Sequence, residues 1–306
     1  MLETRVGSLT LKNPVMPASG TFGYGVEMER WVNLEKVGAI VTKGLSLKPI
    51  HGNPPPRIVE TCCGMLNAIG LENIGVEAFV KEKLPHLRKY GVPVIANIFA
   101  TSYEDFQELA DILSSEEGVS ALEVNVSCPN VHEGGIHFGT SPKSVEKVVS
   151  RVKKKAKNKD VWVKLSPNVT DILTIARAAR EGGASAVVLI NTIPAMAVDL
   201  ATRRPVLANV TGGLSGPAIK PVALKLVWEV ASNCNIDVVG VGGITSAEDV
   251  LEFIMVGARA VQIGSATFRN PSIIEEIIED LPAKMKKYKI DSVQSFSGSI
   301  EIQEDF

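Results

Sequence analysis

Cysteine is scarce in this 306-residue chain: there are four, at positions 62, 63, 128 and 234, and no Cys-x-x-Cys pair among them. That pattern excludes a disulfide-stapled scaffold and an iron–sulfur cluster held by this chain alone. Cys62 and Cys63 are adjacent, which suits neither an ordinary disulfide nor a metal site, and Cys234 falls near a predicted helix end; all three read as packing residues. Long apolar runs are missing too. No stretch approaches the roughly 18 uninterrupted apolar residues of a membrane span, and Met1-Leu-Glu-Thr-Arg5 lacks the apolar region of a signal peptide. The expected location is the cytoplasm. Strong net charge is also absent: 32 Lys and Arg stand against 34 Asp and Glu, leaving −2 at pH 7 and a pI near 6.2. So balanced a chain offers no electrostatic footprint for nucleic acid. Its one basic run, Arg151-Val-Lys-Lys-Lys-Ala-Lys157, reads as the solvated face of a helix.

What is present is a globular composition, 45% hydrophobic and 22% charged, ample for a buried core. A (β/α)8 barrel commonly uses about 250 residues in one domain, so a single domain over residues 1–306 is expected. Gly7-Ser8, between short extended runs from Arg5 to Lys12, predicts a hairpin covering one end of a barrel. Beyond it, apolar runs of strand length end at Ala18, Lys43, Asn97, Asn125, Lys164, Asn191, Val241 and Gly264, which makes eight. Helical segments are predicted between them, at 26–34, 75–90, 103–117, 144–157, 172–181, 217–231, 247–256 and 272–288. Regular strand–helix alternation implies a parallel sheet, and eight repeats imply a TIM barrel with its active site at the carboxyl ends of the strands. Two long loops interrupt the rhythm, Leu45 to Asn73 with Pro54-Pro55-Pro56, and Thr192 to Ser215. Loops of that length on a barrel's top face usually carry function.

The polar residues at those ends indicate the chemistry. Gly240-Val-Gly-Gly-Ile-Thr245 and Ile263-Gly-Ser-Ala266 follow the last two strands and bare their backbone amides at Gly242, Gly243, Gly264 and Ser265. Barrels often bind a phosphate between these loops, so a phosphate-bearing cofactor is implied; the plainer alternative is that the glycines only make tight turns. Gly212-Gly-Leu-Ser-Gly216 adds a third glycine loop. Lys43 and Lys164 end two strands and would point into one mouth, although surface lysines often snorkel there without function. Asn67, Asn97, Asn125 and Asn191 are unusual strand-end choices, and their paired donor and acceptor suit a cyclic imide or a flavin pyrimidine edge. His132 and His137 have no supporting His/Asp/Glu cluster, so no metal is expected.

The strand from Ala121 runs into a loop that contains Cys128 before Pro129 and carries Gly134, Gly135 and Gly139, freedom enough to open and close as a lid. A thiol there, with an ordinary pKa of about 8.5, is a candidate base for a weakly acidic carbon-bound proton. Asn125-Val-Ser-Cys-Pro-Asn130 resembles the signature of the class 1 dihydroorotate dehydrogenases, and Gly134-Gly-Ile-His-Phe-Gly139 resembles the NAD-linked class 1B branch. The resemblance extends along essentially the whole chain. It implies oxidation of (S)-dihydroorotate to orotate in UMP biosynthesis, with Cys128 as catalytic base and one FMN per chain. By the same resemblance, Ser19, Lys43, Gly44, Asn97, Asn125, Lys164, Ile190, Gly216, Gly242, Gly243, Gly264 and Ser265 contact FMN. Lys43, Asn67, Ala68, Ile69, Gly70, Leu71, Asn125, Asn191 and Thr192 contact the substrate. The class 1B likeness further implies a partner subunit carrying FAD and an iron–sulfur cluster, with a homodimer of this chain inside a heterotetramer. Three alternatives stay open: a fumarate-using class 1A enzyme, a Schiff-base lyase using Lys164, and a non-catalytic flavin-binding scaffold.

Overall fold

Valine and isoleucine dominate the short strands because their β-branched side chains pack well on a pleated surface that is buried on both faces. The computed structural model, which describes residues 1–127 and 138–302, arranges eight such strands in one parallel sheet. They are β1 (Val15–Pro17), β2 (Ile40–Val41), β3 (Val94–Ile98), β4 (Val119–Asn125), β5 (Asp160–Lys164), β6 (Ala186–Leu189), β7 (Asp237–Val241) and β8 (Ala260–Ile263). Their spatial order is β1-β8-β7-β6-β5-β4-β3-β2. The remaining seam, between β2 and β1, carries the Gly38 N–H bond to the Val15 carbonyl at 2.8 Å. The result is the expected (β/α)8 barrel.

Strand alternation divides the core in two. Met16, Val41, Ile95, Ala121, Trp162, Val188, Val239 and Ala260 face inward and fill the barrel. The other parity packs outward against the helices, as Val145, Val148, Val149 and Val152 do from the inner stripe of helix Pro142–Lys155. Each such side chain, fully buried, contributes about 1.5–3 kcal/mol. The opposite face of that helix carries the basic run: Arg151 pairs with Glu104 and Lys155 with Asp111, as a solvated face should. The hairpin Thr4–Val6 and Leu9–Leu11 plugs the barrel's lower end. Gly7 N–H reaches Asp237 Oδ2 at 2.8 Å and Ser8 N–H reaches Asp160 Oδ2 at 2.6 Å, at the starts of β7 and β5.

Four expectations need correction. Residues 26–34 do not form one helix but two 3-10 turns, Val26–Met28 and Leu34–Lys36. Asn33 caps the second through the Glu35 N–H, which ends any continuation from the first. The helical stretch 76–90 is widened by a π-turn at Phe79–Lys83; Pro85 has no N–H to give, and its ring crowds the carbonyl four residues back. The two long loops are not loops. Ile193–Ala195, Gly212–Ser215, Gly64–Asn67 and Ile58–Thr61 pair in that order as an antiparallel sheet over the barrel's upper end. Gly212-Gly213 is therefore strand, and a Cβ on Gly213 would stand 2.0 Å from Thr192 Oγ1. Cys62 and Cys63 form the turn between Ile58–Thr61 and Gly64–Asn67 and are exposed, not packing residues; Cys234 is buried as expected. No helix among the described residues is long and apolar enough to cross a membrane.

Candidate active site

The upper sheet and the strand ends enclose a cavity of about 1030 Å³. Ser19, Lys43, Gly44, Asn67 through Leu71, Asn97, Asn125, Lys164, Ile190, Asn191, Thr192, Gly216, Gly242, Gly243, Gly264 and Ser265 all line it. Every candidate site residue among the described residues is thus brought to one place. Cys128, like His132, Gly134, Gly135 and His137, lies outside the described residues.

The floor is built by inward-facing positions one step above the apolar filling. Asn97, Glu123, Lys164 and Gln262 each sit two residues beyond an inward apolar residue, on β3, β4, β5 and β8 respectively. The Asn97 amide donates to Glu123 Oε1 at 2.6 Å, the Gln262 amide donates to Glu123 Oε2, and Lys164 Nζ stands 4.0 Å from Glu123. Glu123 and Gln262 were missed from the sequence. The signal was there: a carboxylate and an amide at inward positions of otherwise apolar buried strands need partners.

One wall is a chain of side chains joining two strand ends. Asn191 Nδ2 donates to Ser127 Oγ at 2.6 Å, and Ser127 Oγ donates to Asn125 Oδ1 at 2.7 Å. This orients the asparagines with a serine that the sequence reading passed over. Opposite, Lys43 Nζ lies 3.5 Å from Glu72, which Arg57 also engages at 2.8 Å. The loop Asn67 to Leu71 turns sharply, with Leu71 at φ 59, an uncommon conformation for a branched residue. Asn73 holds it there, donating to the Leu71 carbonyl at 2.9 Å.

The glycine loops form an anion cradle. Among the described residues, the N–H groups of Gly243, Ser265 and Ala266 donate to no protein acceptor, so they are available to a phosphate. Asp249 fixes the cradle: it accepts from Thr245 N–H at 2.8 Å and Thr245 Oγ1 at 2.9 Å, and Lys220 pairs with it. Burial pushes the Asp249 carboxyl up, but the Lys220 ammonium and the Thr245 donors outweigh it and hold the group below its ordinary value. Asp249→Asn therefore lowers stability by about 2 kcal/mol at neutral pH. Because the folded value is depressed, that difference is complete above about pH 3.9, the ordinary carboxylate value, and fades as pH falls through the folded value. Denaturant melts of both proteins at neutral and strongly acidic pH check the sign.

The family model described as dihydroorotate dehydrogenase matches residues 1–285. A protein of Maridesulfovibrio salexigens is 57% identical over 294 residues, covering 96% of this chain and 96% of its own. One of Solidesulfovibrio magneticus is 58% identical over 300 residues, and one of Trichlorobacter lovleyi 55% over 300, each covering 98% of both chains. All three are named dihydroorotate dehydrogenase B (NAD(+)), catalytic subunit.

Proposed function

The chain belongs to the dihydroorotate dehydrogenase family and is an oxidoreductase, and from that premise we propose that it is the FMN-holding catalytic subunit of the NAD-linked type. It oxidises (S)-dihydroorotate to orotate for pyrimidine biosynthesis in the cytoplasm. The observation that carries this reading is the meeting of the lysines, asparagines and glycine loops in one cavity at the strand ends.

The residues present suit FMN. The cavity is roomy enough for a flavin and a small ring together, and the bare amides at Gly243 and Ser265 suit its phosphate. On the floor, Asn97 Oδ1 is a buried acceptor with no partner among the described residues, matched to a ring N–H. Lys164, Asn97, Asn125 and Gly44 would hold the ring system, with Ser19, Ile190, Gly216, Gly242 and Gly264 around it. When bound, FMN supplies the acceptor for the hydride that leaves C6 of dihydroorotate. The chain's own residues do the rest. Lys43, Asn67 through Leu71, Asn125, Asn191 and Thr192 orient the substrate, Lys43 offering a cation to its carboxylate. Cys128, as thiolate, takes the C5 proton, so that the C5–H and C6–H bonds break as the C5=C6 double bond forms.

The lack of any Cys-x-x-Cys pair supports a separate electron-transfer subunit carrying FAD and an iron–sulfur cluster, joined to a homodimer of this chain in a heterotetramer. An anaerobic acceptor assay tests the subclass. The purified chain, reduced by dihydroorotate, should pass electrons to a small redox dye but to neither NAD nor fumarate. Rapid reoxidation by fumarate would instead assign the fumarate-using type.

A further inference from the structure

Glu123 has no exposed surface and lies inside the barrel, beneath the cavity. A carboxylate has only acceptors. The Asn97 and Gln262 amides must therefore both turn their NH2 groups toward it, as they do. Their carbonyl oxygens, Asn97 Oδ1 and Gln262 Oε1, are among the buried polar atoms that find no partner among the described residues. One carboxylate thus accounts for both orphans, and it makes Asn97, on the cavity floor, an acceptor toward whatever binds there. A buried charge also needs a counter-charge. Lys164, 7% exposed and 4.0 Å away, supplies it, so the floor carries a dipole with its positive end toward the cavity and no net charge.

Building on the FMN reading above, we propose that Glu123 is a positioning residue for the flavin. It fixes the acceptor face of Asn97 and balances Lys164, and so it sets how strongly the cavity floor favours the reduced, anionic ring. Glu123→Gln preserves shape but removes the negative charge and adds an NH2 donor. The floor becomes net positive, and the new donor competes for Asn97 Oδ1. The reduced flavin is then favoured about tenfold more, an upward shift near 30 mV for a two-electron couple. FMN affinity falls, also by about tenfold.

The test is a redox titration of the holoprotein against a reference dye, together with FMN titration of the apoprotein by flavin fluorescence. Both are run on wild type, E123Q and E123D. E123D keeps the charge and should restore the wild-type potential, which a merely structural role for the side chain would not require. E123Q unchanged within twofold in both readouts, while wild type binds FMN, overturns the assignment of Glu123 and leaves the function intact. Wild type that takes up no FMN overturns the FMN reading itself. Should E123Q fail to fold with Lys164 unpaired, E123Q/K164Q removes both charges. Its potential is expected to lie above that of K164Q by about the same tenfold in the equilibrium, because one negative charge is again removed, and agreement with K164Q within twofold contradicts the proposal.

Discussion

Alanine at Cys128 slows flavin reduction by dihydroorotate by about 10²–10⁴-fold at neutral pH, the range that a positioned general base contributes. FMN stays bound, because the groups expected to hold it are backbone amides, Lys164 and asparagines elsewhere in the cavity. Cys128 is implicated by its place in the chain. It follows Ser127, whose hydroxyl is fixed between Asn191 at 2.6 Å and Asn125 at 2.7 Å, the two strand ends expected to meet the substrate. Only a thiolate accepts a proton, so the reduction rate rises with pH up to the thiol pKa, ordinarily about 8.5. Cys128→Ser, with a far weaker acid at the same position, is slow at neutral pH and keeps gaining rate as the solution becomes more alkaline. Anaerobic single-turnover mixing measures both variants; near-normal reduction by the alanine variant at neutral pH removes the base assignment.

Valine at Gly243 costs the chain its grip on FMN, with affinity reduced roughly a hundredfold or more. Gly243 has φ +73, and a Cβ there would stand 2.8 Å from the Gly216 carbonyl oxygen, 2.8 Å from Lys220 Cβ and 3.0 Å from Lys220 N. Two of those neighbours, the Gly216 oxygen and Lys220 N, are backbone just before and at the start of helix Lys220–Asn233, so they cannot swing aside. The strained dihedral alone costs of order 1–3 kcal/mol, and a β-branched side chain adds the overlap. Relief comes by moving the loop, which takes the Gly243 N–H away from the phosphate. A loss near 3 kcal/mol corresponds to about a hundredfold. β7 ends at Val241, before the affected atoms, so cooperative melting of the barrel persists. FMN titration beside a melting curve separates the two, and affinity within threefold of wild type would show that the cradle does not hold the phosphate.

The barrel was legible because its information is local. Each strand is a short apolar run, and each amphipathic helix repeats its apolar positions within its own length, as Ile172, Ile175, Ala176 and Ala179 do. The sheet above the cavity was not legible because its partners are distant in sequence. Met65 pairs with Ser215 and Asn67 with Gly213, and no local periodicity announces a pairing across that distance. Proline and glycine in both segments pointed to loops, and with them went the exposed turn at Cys62-Cys63. The site was half legible. Strand-end lysines, asparagines and glycines stood out by position, whereas Glu123 was hidden by its apolar neighbours, although its parity with Ala121 and Asn125 places all three on the inner face. Arg57, Glu72 and Asn73 act through contacts that only the folded chain brings together.

Flavin binding by this chain alone, and reduction of that flavin by dihydroorotate, are tested together by an anaerobic titration of the purified, FMN-loaded chain with dihydroorotate, followed by NAD, with the visible flavin absorbance recorded throughout. Bleaching in proportion to added dihydroorotate is expected, with no recovery on NAD until the electron-transfer subunit is supplied. A chain that takes up no FMN, or a bound flavin that stays oxidised in excess dihydroorotate, would contradict the proposed function.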